Sequence, residues 1–342
     1  MAVKVGMIGM GGMGCLHFQG LASIPQAQVV AVCDVRPERL EDEALNVTIN
    51  IDAGLGRAAN LGGLEKYTDY KKMLRKADID MVHICTPTDL HAQMAIAALK
   101  AGKHVFCEKP IALSSRMAGR MVQAAAAAGK YLMIGHVLRF WPEYVMIKEM
   151  IDSGKYGHVR SAVFRRVGGM PGWSSQAWYA DSKRSGHATL DLHIHDVDLI
   201  NWIFGKPAKV SSQGVVEPDG GVRYIVTQYG YDHVPLVAAE AGWVDALYPF
   251  YMALTVDFEK ATVGYDSSRK PTLTIYDSQA GKKETPEVSR ANGYTEEVRY
   301  LIECIEAGRP PGRATGADAA AAVAIAEAEI RSVKARKPVR IK

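Results

Sequence analysis

The stretch AVKVGMIGMGGMG, Ala2–Gly14, joins a short apolar run to a glycine-rich turn and decides the fold class of this chain. Gly9, Gly11 and Gly14 have the GxGxxG spacing. A strand that enters such a turn and continues into a helix, expected here from about Met13, presents backbone N–H groups and the positive end of the helix dipole to a pyrophosphate. The pattern therefore predicts the start of a doubly wound α/β sheet that binds a dinucleotide through Gly9, Gly11, Gly12, Met13 and Gly14.

The second predicted strand, QVVAVCD, supports this prediction because it ends on an acid, Asp34. Asp34 lies about twenty residues after the last glycine, where a carboxylate accepts hydrogen bonds from the ribose hydroxyls. A carboxylate here repels a 2′-phosphate and so favours NAD over NADP, while Arg36 and Arg39 would soften that preference. Arg36 is also a predicted cofactor contact. One alternative stays open, in which Asp34 caps a helix that begins near Pro37.

Strand and helix patterns alternate through the rest of the first third of the chain, as a parallel, doubly wound sheet requires. The Asn- and Gly-rich segment NVTINIDAGLGRAANLGG interrupts the alternation and is expected to be a loop or a mobile helix near the adenosine end. The other expected elements are the helix TDYKKMLRK, the strand DMVHICTP, the helix DLHAQMAIAALKAG, the strand HVFCEKP, the helix SSRMAGRMVQAAAAAG and the strand KYLMIGHV.

Polar residues follow three of these strands, at the end where an open α/β sheet binds its ligand. We therefore expect them to line one site. Proline restricts the residue before it to extended backbone, so the direction of the Lys109 side chain is fixed by Pro110. A surface ion pair between Glu108 and Lys109 is the alternative. The predicted cofactor contacts from these strand ends are Thr86, Pro87, His91, Glu108 and Lys109, and the last strand contributes His136 and Arg139.

Size and composition describe an ordinary two-domain globular protein. The 342 residues exceed what one core usually spans, so we predict a dinucleotide-binding domain over 1–135 and a second domain over 136–342. A net charge of +4, spread over the chain, does not indicate nucleic-acid binding. The five cysteines lack CxxC spacing and indicate a reducing compartment, and no apolar run is long enough to span a bilayer. We predict a cytoplasmic protein without a membrane partner.

A second cluster of polar residues lies in GHATLDLHIHDVDLINWIFG, Gly186–Gly205. On a strand, His193 and His195 would share one face and form a metal site with Asp191. On a helix, Asp191 and His195 share the face and His193 points away. The apolar residues recur with a helical period, so we favour the helix and predict no metal site. A carboxylate beside an imidazole suits general acid–base chemistry, although a structural Asp–His pair is the alternative.

Three motifs occur in one order: GMGGMG with Asp34, CEKP with Lys109, and DLHIH with Asp191 and His195. In this order the chain resembles the Gfo/Idh/MocA oxidoreductase family, which includes glucose-fructose oxidoreductase and inositol 2-dehydrogenase. TPTDLH, GHVLRFWP and the closing GADAAAAVAIAEAEIRSVKARKPVRI also match, so the resemblance covers essentially the whole chain. It implies an N-terminal Rossmann domain and a C-terminal α+β domain whose large, open, mostly antiparallel sheet forms the oligomer interface.

The resemblance implies that Lys109, Asp191 and His195 are catalytic. Lys109 would hydrogen-bond the substrate oxygen, His195 would take the hydroxyl proton, and Asp191 would set the tautomer of the imidazole. Glu108 would hold the backbone or the ribose, and the Lys109–Pro110 bond could be cis, although most such bonds are trans. His193 stands where the family often has glycine, either as an extra donor near the substrate or as a polar group on the outer face of the helix.

The resemblance also implies a substrate with a secondary alcohol, on a sugar, a polyol or an inositol. Arg139, Arg165 and Arg166 could recognise a carboxylate or phosphate, so neutral sugars and sugar acids both remain open. Aromatic faces suit sugar rings, although core packing would explain the same residues. The aromatic candidates are Phe140, Trp141, Trp173, Trp178 and Tyr179, and the predicted substrate contacts are Lys109, His136, Arg139, Trp173, Asp191, His193 and His195.

The later segments predict consecutive strands of one sheet, followed by two helices that pack against the body of the domain. A sheet with apolar residues on both faces needs two covering layers. Helices can supply one layer and a second subunit the other, so we predict a homodimer or homotetramer. The predicted strands are VRYIVTQYGYD, HVPLVAAEAGWVD, FYMALTVDFEKATVGYD and PTLTIYD, and the two helices are YTEEVRYLIECIEAG and the alanine-rich segment near the end.

Three functions are compatible with these residues. The leading hypothesis is an NAD-dependent dehydrogenase that acts on a CH–OH group of a sugar, polyol or inositol. The second is an NAD-dependent enzyme that oxidises a sugar transiently in order to cleave or eliminate, and restores NAD in each cycle. The third is a non-catalytic nucleotide-binding sensor or partner subunit, against which the intact set Lys109, Asp191 and His195 argues. Net accumulation of NADH would separate the first hypothesis from the second.

Overall fold

The computed structural model describes residues 2–41, 60–171 and 175–341, without the side chains of 175–177. The described residues form two compact units, one of residues 1–140 with 291–320 and one of residues 141–290 with 321–342. Most of the loop expected over 46–63, and the predicted substrate contact Trp173, lie outside the described residues.

The first unit contains a six-stranded sheet in which every neighbouring pair of strands is parallel. The strand order β3-β2-β1-β4-β5-β6 changes direction between β1 and β4, which is the switch point where such sheets bind ligands. The strands are β1 Val3–Ile8, β2 Ala27–Cys33, β3 Glu65–Tyr67, β4 Met81–Ile84, β5 His104–Glu108 and β6 Leu132–Gly135. The helices are α1 Gly12–Ala22, α2 Tyr70–Lys76, α3 Thr88–Lys100 and α4 Ser115–Ala128, with α9 Gly293–Glu306 later in the chain.

Local sequence explains these elements. The central strands are mostly apolar because both faces of a parallel sheet are covered, and all four residues of β4, His83 among them, are buried. Asp69 caps α2 by accepting from the Lys71 N–H, and Ser114 caps α4 by accepting from the Met117 N–H. The predicted doubly wound sheet is therefore confirmed.

The helix α9 belongs to the first unit, although the division at 135/136 placed it in the second domain. Its residues Val298, Leu301 and Ile302 lie in one core cluster with Met7 and Met81 of the parallel sheet. The apolar face of α9 is visible in the sequence, but the sequence does not show which sheet covers that face. Contacts between residues that are distant in the chain place α9 against the parallel sheet of the first unit.

The second unit contains a nine-stranded sheet in which β7 and β10 are parallel and the other neighbours are antiparallel. This confirms the mostly antiparallel sheet. The strand order is β14-β13-β12-β11-β7-β10-β9-β8-β15. The strands are β7 Val159–Gly169, β8 Lys209–Val216, β9 Val222–Gly230, β10 Leu236–Val244, β11 Tyr251–Phe258, β12 Ala261–Asp266, β13 Leu273–Asp277, β14 Lys282–Glu284 and β15 Val339–Arg340. The helices are α5 Pro142–Asp152, α6 Ser182–Ser185, α7 His187–Asp191 and α8 Ile194–Phe204, and α10 Gly316–Ala335 runs from the first unit into the second.

The two faces of this sheet differ in exposure. Ala162 and Phe164 of β7 are buried, whereas Val163 between them is 44% exposed. Val226 of β9 is 47% exposed, and Ile225 before it is fully buried. Successive side chains of a strand point to opposite faces, so one face of the sheet belongs to the core and the other carries exposed apolar residues.

Among the helices of the described ranges, none combines the length and the apolar composition that crossing a membrane requires.

Candidate active site

The glycine turn between β1 and α1 has a backbone that only glycine can supply. Gly9 has a φ of +94°, and a Cβ there would lie 2.6 Å from the carbonyl oxygen of Cys85. A Cβ at Gly14 would lie 1.9 Å from the carbonyl oxygen of Gly9. Gly11, Gly12 and Met13 are only partly buried and stand at the start of α1, where the first N–H groups have no partner within the helix. The turn therefore fits a pyrophosphate.

Asp34 follows β2 and is tied to the glycine turn. Its Oδ2 accepts from the N–H of Met10 and its Oδ1 from the N–H of Arg36, each at 2.9 Å. The short 3-10 turn Pro37–Leu40 has Arg36 at its N-cap position, so the alternative in which Asp34 caps that turn is wrong. Each carboxylate oxygen keeps a second lone pair for a hydroxyl group, and the residues present fit a dinucleotide.

Two arginines accompany Asp34. The Arg36 Nε lies 3.8 Å from Asp34 Oδ1, and Arg39 donates from Nη1 to the carbonyl of Met10 at 3.0 Å. Both cations therefore lie beside the glycine turn and the acid.

His91 ties together the ends of β4 and β5. Its Nδ1 lies 2.8 Å from the carbonyl oxygen of Pro110, and its Nε2 lies 2.8 Å from that of Thr86. The ring is 1% exposed, and burial lowers its pKa, so the neutral ring donates to one carbonyl at a time. Pro87 is the N-cap residue of α3, and the Thr86 hydroxyl contacts the sulfur of Met94 at 3.6 Å.

The carboxylate of Glu108 is engaged within the protein. Its Oε1 lies 2.7 Å from His17 Nε2, and its Oε2 accepts from the Lys109 N–H at 3.1 Å. Burial raises the pKa of Glu108, but the hydrogen bond and charge of His17 outweigh burial and leave it below the ordinary value. Lys109 is partly exposed at the end of β5, and the Lys109–Pro110 peptide is cis. Of the two roles expected for Glu108, holding the backbone is the one that these contacts provide.

His136 and Arg139 lie in the interior of the first unit. His136 is 1% exposed and precedes a short 3-10 turn, Val137–Arg139. The Arg139 guanidinium, 2% exposed, lies 3.3 Å from the carboxylate of Asp318 at the start of α10. Its charge is therefore balanced by an acid of the same unit.

Asp191 and His195 lie on a helical segment, as predicted, but the helix is interrupted between them. Asp191 ends α7 and is 6% exposed, whereas His195 is the second residue of α8 and is partly exposed. Leu192 and His193 keep right-handed helical dihedrals, and the His193 N–H bonds the carbonyl of Ala188, five residues back. The interruption is thus a single widened turn.

His193 is fully buried, so the interpretation that placed it on an outer face is wrong. Its Nε2 lies 3.2 Å from the Tyr229 hydroxyl and 3.3 Å from Glu329 Oε2. Burial lowers the pKa of His193, but the charge and hydrogen bond of Glu329 outweigh burial and raise it above the ordinary value. These contacts join α8 to β9 and α10.

Neighbouring arginines of β7 have opposite environments. Arg166 is 2% exposed and pairs bidentately with Asp196 of α8, at 2.9 and 3.0 Å. Arg165 is on the other face and pairs with Glu240 at 3.1 Å. The buried Asp196 carboxylate neutralises the charge of Arg166, so Arg165 is the more solvent-accessible of the two arginines.

The aromatic candidates also differ in their exposure to solvent. Phe140 is buried, 5.5 Å from the ring of Tyr300, with the guanidinium of Arg313 4.3 Å above it. Trp178 and Tyr179 stack on each other at 4.0 Å and are partly exposed.

Sequence reasoning missed four buried charged or titratable residues that lie near predicted ones: His17, Asp196, Glu297 and Glu329. Two of them carried a signal. Glu297 lies in phase with the apolar residues of α9, and Glu329 lies in phase with those of α10, where a carboxylate on an apolar face indicates a buried partner.

Two groups of described side chains could hold a metal ion, and both include His17. One group adds His83 and Cys85, the other adds Glu108 and Glu297, and within each the potential ligand atoms lie within 4.8 Å of one another. Neither is the site with His193 and His195 that was considered from the sequence.

The parallel sheet, its glycine turn and the acid after β2 define a dinucleotide-binding protein of the Rossmann class. The chain belongs to the GFO/IDH/MocA family: residues 3–136 match its oxidoreductase domain with an NAD-binding Rossmann fold, and residues 144–263 match its C-terminal domain. The protein is therefore an oxidoreductase with an NAD-binding fold, and the resemblance seen in the sequence is confirmed.

Known proteins resemble the chain over its whole length. Myo-inositol 2-dehydrogenase of Thermotoga maritima is 27% identical, covering 99% of this chain and 98% of that protein. Inositol 2-dehydrogenase of Rhizobium meliloti is 28% identical, covering 100% of both. Among solved structures, levoglucosan dehydrogenase in complex with NADH and L-sorbose has a TM-score of 0.85 at 22% identity, covering 100% of both chains, which is a similarity of fold.

Proposed function

We propose that this protein is an NAD-dependent dehydrogenase that oxidises a secondary alcohol of a cyclic polyol or sugar, with inositols the first candidates. One observation carries the proposal: Lys109 stands at the carboxyl end of β5, with its backbone held by a buried acid, in the same parallel sheet as a turn that fits a pyrophosphate. The full-length relatives named inositol 2-dehydrogenases support the substrate class.

The proposal gives each side chain one task. The Lys109 ammonium donates a hydrogen bond to the substrate oxygen and stabilises its alkoxide character. His195 accepts the hydroxyl proton, and Asp191 orients the imidazole and raises its basicity. When bound, NAD supplies the hydride acceptor at its nicotinamide ring.

Cofactor choice is part of the proposal. The Asp34 carboxylate disfavours a 2′-phosphate, and Arg36 at 3.8 Å reduces that effect by balancing part of the charge. We therefore expect NADH to bind more tightly than NADPH. The ratio of the two Kd values should be smaller in Asp34→Asn than in the unaltered protein. Titrations of both nucleotides by fluorescence would measure it. Equal affinities in the unaltered protein would contradict this choice.

The direct test is a substrate panel. The purified protein is given myo-inositol, other cyclic polyols, neutral sugars and sugar acids, with NAD and with NADP, and NADH is followed by absorbance. Net NADH with at least one cyclic substrate is the expected result. Cleavage of a glycoside without net NADH would replace the proposal by the transient-oxidation mechanism. Binding of NADH with no oxidation across the panel would favour the non-catalytic sensor.

Assembly and location complete the proposal. The exposed face of the nine-stranded sheet carries Val163 and Val226, and a second copy would cover it in a homodimer or homotetramer. Light scattering would measure the mass, and Val163→Glu should lower it. A monomer in the unaltered protein would contradict this part. The five free cysteines suit a reducing, cytoplasmic environment.

A further inference from the structure

A cluster of buried titratable side chains lies behind Lys109 in the first unit. One nitrogen of His17 and one oxygen each of Glu108 and Glu297 lie within 4.8 Å of one another. His17 and Glu108 are 1% and 6% exposed, and Glu297 is 0% exposed. They come from α1, β5 and α9 respectively, so the fold assembles the cluster from three distant parts of the chain.

A chain of contacts connects this cluster to the backbone of Lys109. The His17 imidazole holds one carboxylate oxygen of Glu108 at 2.7 Å, and the other oxygen accepts from the Lys109 N–H. Without the imidazole, the first oxygen would be a buried acceptor without a donor. Such a group is costly and drives rearrangement of the residues around it.

Glu297 is the unusual member. Among the described residues neither of its oxygens has a hydrogen-bond partner, and the same holds for His17 Nδ1. Burial, with the nearby charge of Glu108, raises the pKa of Glu297 well above the ordinary value. Glu297 therefore adjoins His17 and Glu108 without a hydrogen bond to either of them.

The surrounding packing provides room for this cluster. A Cβ at Gly135, the register partner of Glu108 on β6, would lie 3.2 Å from Glu108 Oε1. A Cβ at Gly20 of α1 would lie 3.1 Å from the hydroxyl oxygen of Thr295 on α9. Small residues on β6 and α1 thus allow the carboxylate and the two helices to approach.

We propose that His17 is a positioning residue for Lys109: with Glu108 it forms a buried imidazole–carboxylate unit that fixes the peptide N–H of Lys109 and thereby the direction of its side chain. The inference deepens the proposed function and rests on it for the role of Lys109. No proton is transferred in this unit, since each hydrogen bond only orients the next group.

The test at His17 compares two amides. A glutamine places its amide nitrogen near the position of the imidazole Nε2 and can still donate to Glu108, whereas an asparagine is too short to do so. We expect His17→Asn to lower kcat by about ten- to a hundredfold, as misplacement of a catalytic group does, and His17→Gln to restore most of it. The Kd for NADH should change less than about threefold in both, since the glycine turn is untouched.

Glu297 offers a comparison within the same cluster, because it makes no hydrogen bond to His17 or to Glu108. Glu297→Gln and Glu297→Met both keep the approximate shape of the side chain. Both variants should therefore keep most of kcat. Glu296→Gln is the matched control, because the neighbouring Glu296 is on the surface and pairs with Arg299 at 3.2 Å.

Hydrogen–deuterium exchange gives a readout independent of catalysis. His17→Asn should speed exchange in the peptide over 104–113, which contains the Lys109 amide, and leave peptides from β1 and β4 unchanged. Faster exchange across the whole sheet, or none over 104–113, would overturn the inference. If no substrate of the panel is oxidised but exchange over 104–113 becomes faster in His17→Asn, the proposed function is wrong, while the positioning contact between His17, Glu108 and Lys109 is supported.

A bound metal is the competing interpretation of the same residues. His83 and Cys85 adjoin His17 and could complete a coordination sphere. Elemental analysis of the purified protein decides between the two. We expect no stoichiometric metal, and one equivalent that is lost in both His17→Asn and Glu297→Met would overturn the positioning role in favour of a metal site.

Discussion

Replacing Asp196 by asparagine removes one charge from a buried ion pair. The Arg166 Nε and Nη2 lie 2.9 and 3.0 Å from the two carboxylate oxygens of Asp196, and both side chains are 3% exposed or less. The guanidinium would stay charged in the variant, since arginine does not lose its proton in proteins. Breaking a buried pair in this way lowers the free energy of unfolding by about 3–5 kcal/mol.

The expected change in melting temperature follows from the size of the unit that holds the pair. For a unit of about 170 residues, each kcal/mol corresponds to about 2–4 °C. Asp196→Asn should therefore lower Tm by roughly 6–20 °C. Scanning calorimetry without added nucleotide would measure it, and urea unfolding would give the change in free energy independently.

The adjacent residue of β7 offers a matched control. Arg165 and Glu240 lie 3.1 Å apart with side chains 43% and 30% exposed, so Glu240→Gln removes the same charge from a solvated pair. Such pairs contribute about 0–1 kcal/mol, and Tm should fall by less than about 4 °C. Equal shifts in the two variants would refute the reasoning that burial, rather than distance, sets the energy of these pairs.

Three further predictions concern catalysis, cofactor binding and pH. His195→Ala should lower kcat by about a hundred- to ten-thousandfold while NADH still binds, and turnover at the unaltered rate would exclude it as the base. Gly14→Ala should abolish NADH binding in a fluorescence titration, because its Cβ would lie 1.9 Å from the Gly9 carbonyl oxygen. Gly119→Ala in α4 is the control and should bind NADH normally, because the described atoms leave open space for its Cβ. Burial lowers the pKa of His104 from 6.5 to about 4, so the unfolded state takes up the proton first and stability should fall as pH drops from about 6.5 to about 4. Urea unfolding of His104→Gln should show less of this fall, and an identical pH dependence would contradict the assignment.

The glycine turn and the acid after β2 could be found from sequence because both depend on neighbours in the chain. The sharp turn at Gly9 requires a positive φ, and Asp34 reaches the Met10 N–H from the adjacent strand. The alternation of strands and helices is equally local, and it predicted each strand from β1 to β6 except the short β3.

The environment of the polar residues could not be found in the same way. His193 and Glu329 are far apart in sequence, and only the packing of α10 against the sheet brings them to 3.3 Å. The sequence also showed no sign of the interruption after Asp191. The residues between α7 and α8 are Leu192 and His193, neither of them a glycine or proline, and both keep helical dihedrals. Arg165 and Arg166 are the same residue type in one strand, and the sheet decided which of them is buried.

The sequence alone determined the parallel nucleotide-binding sheet, the glycine turn and the position of Lys109 at a strand end, because hydrophobic period, glycine geometry and proline restriction act over a few residues. Tertiary structure alone decided that α9 joins the first unit and that His17 and Glu297 meet Glu108. Burial raises the pKa of Glu297, and burial depends on which distant segments exclude water from this side chain.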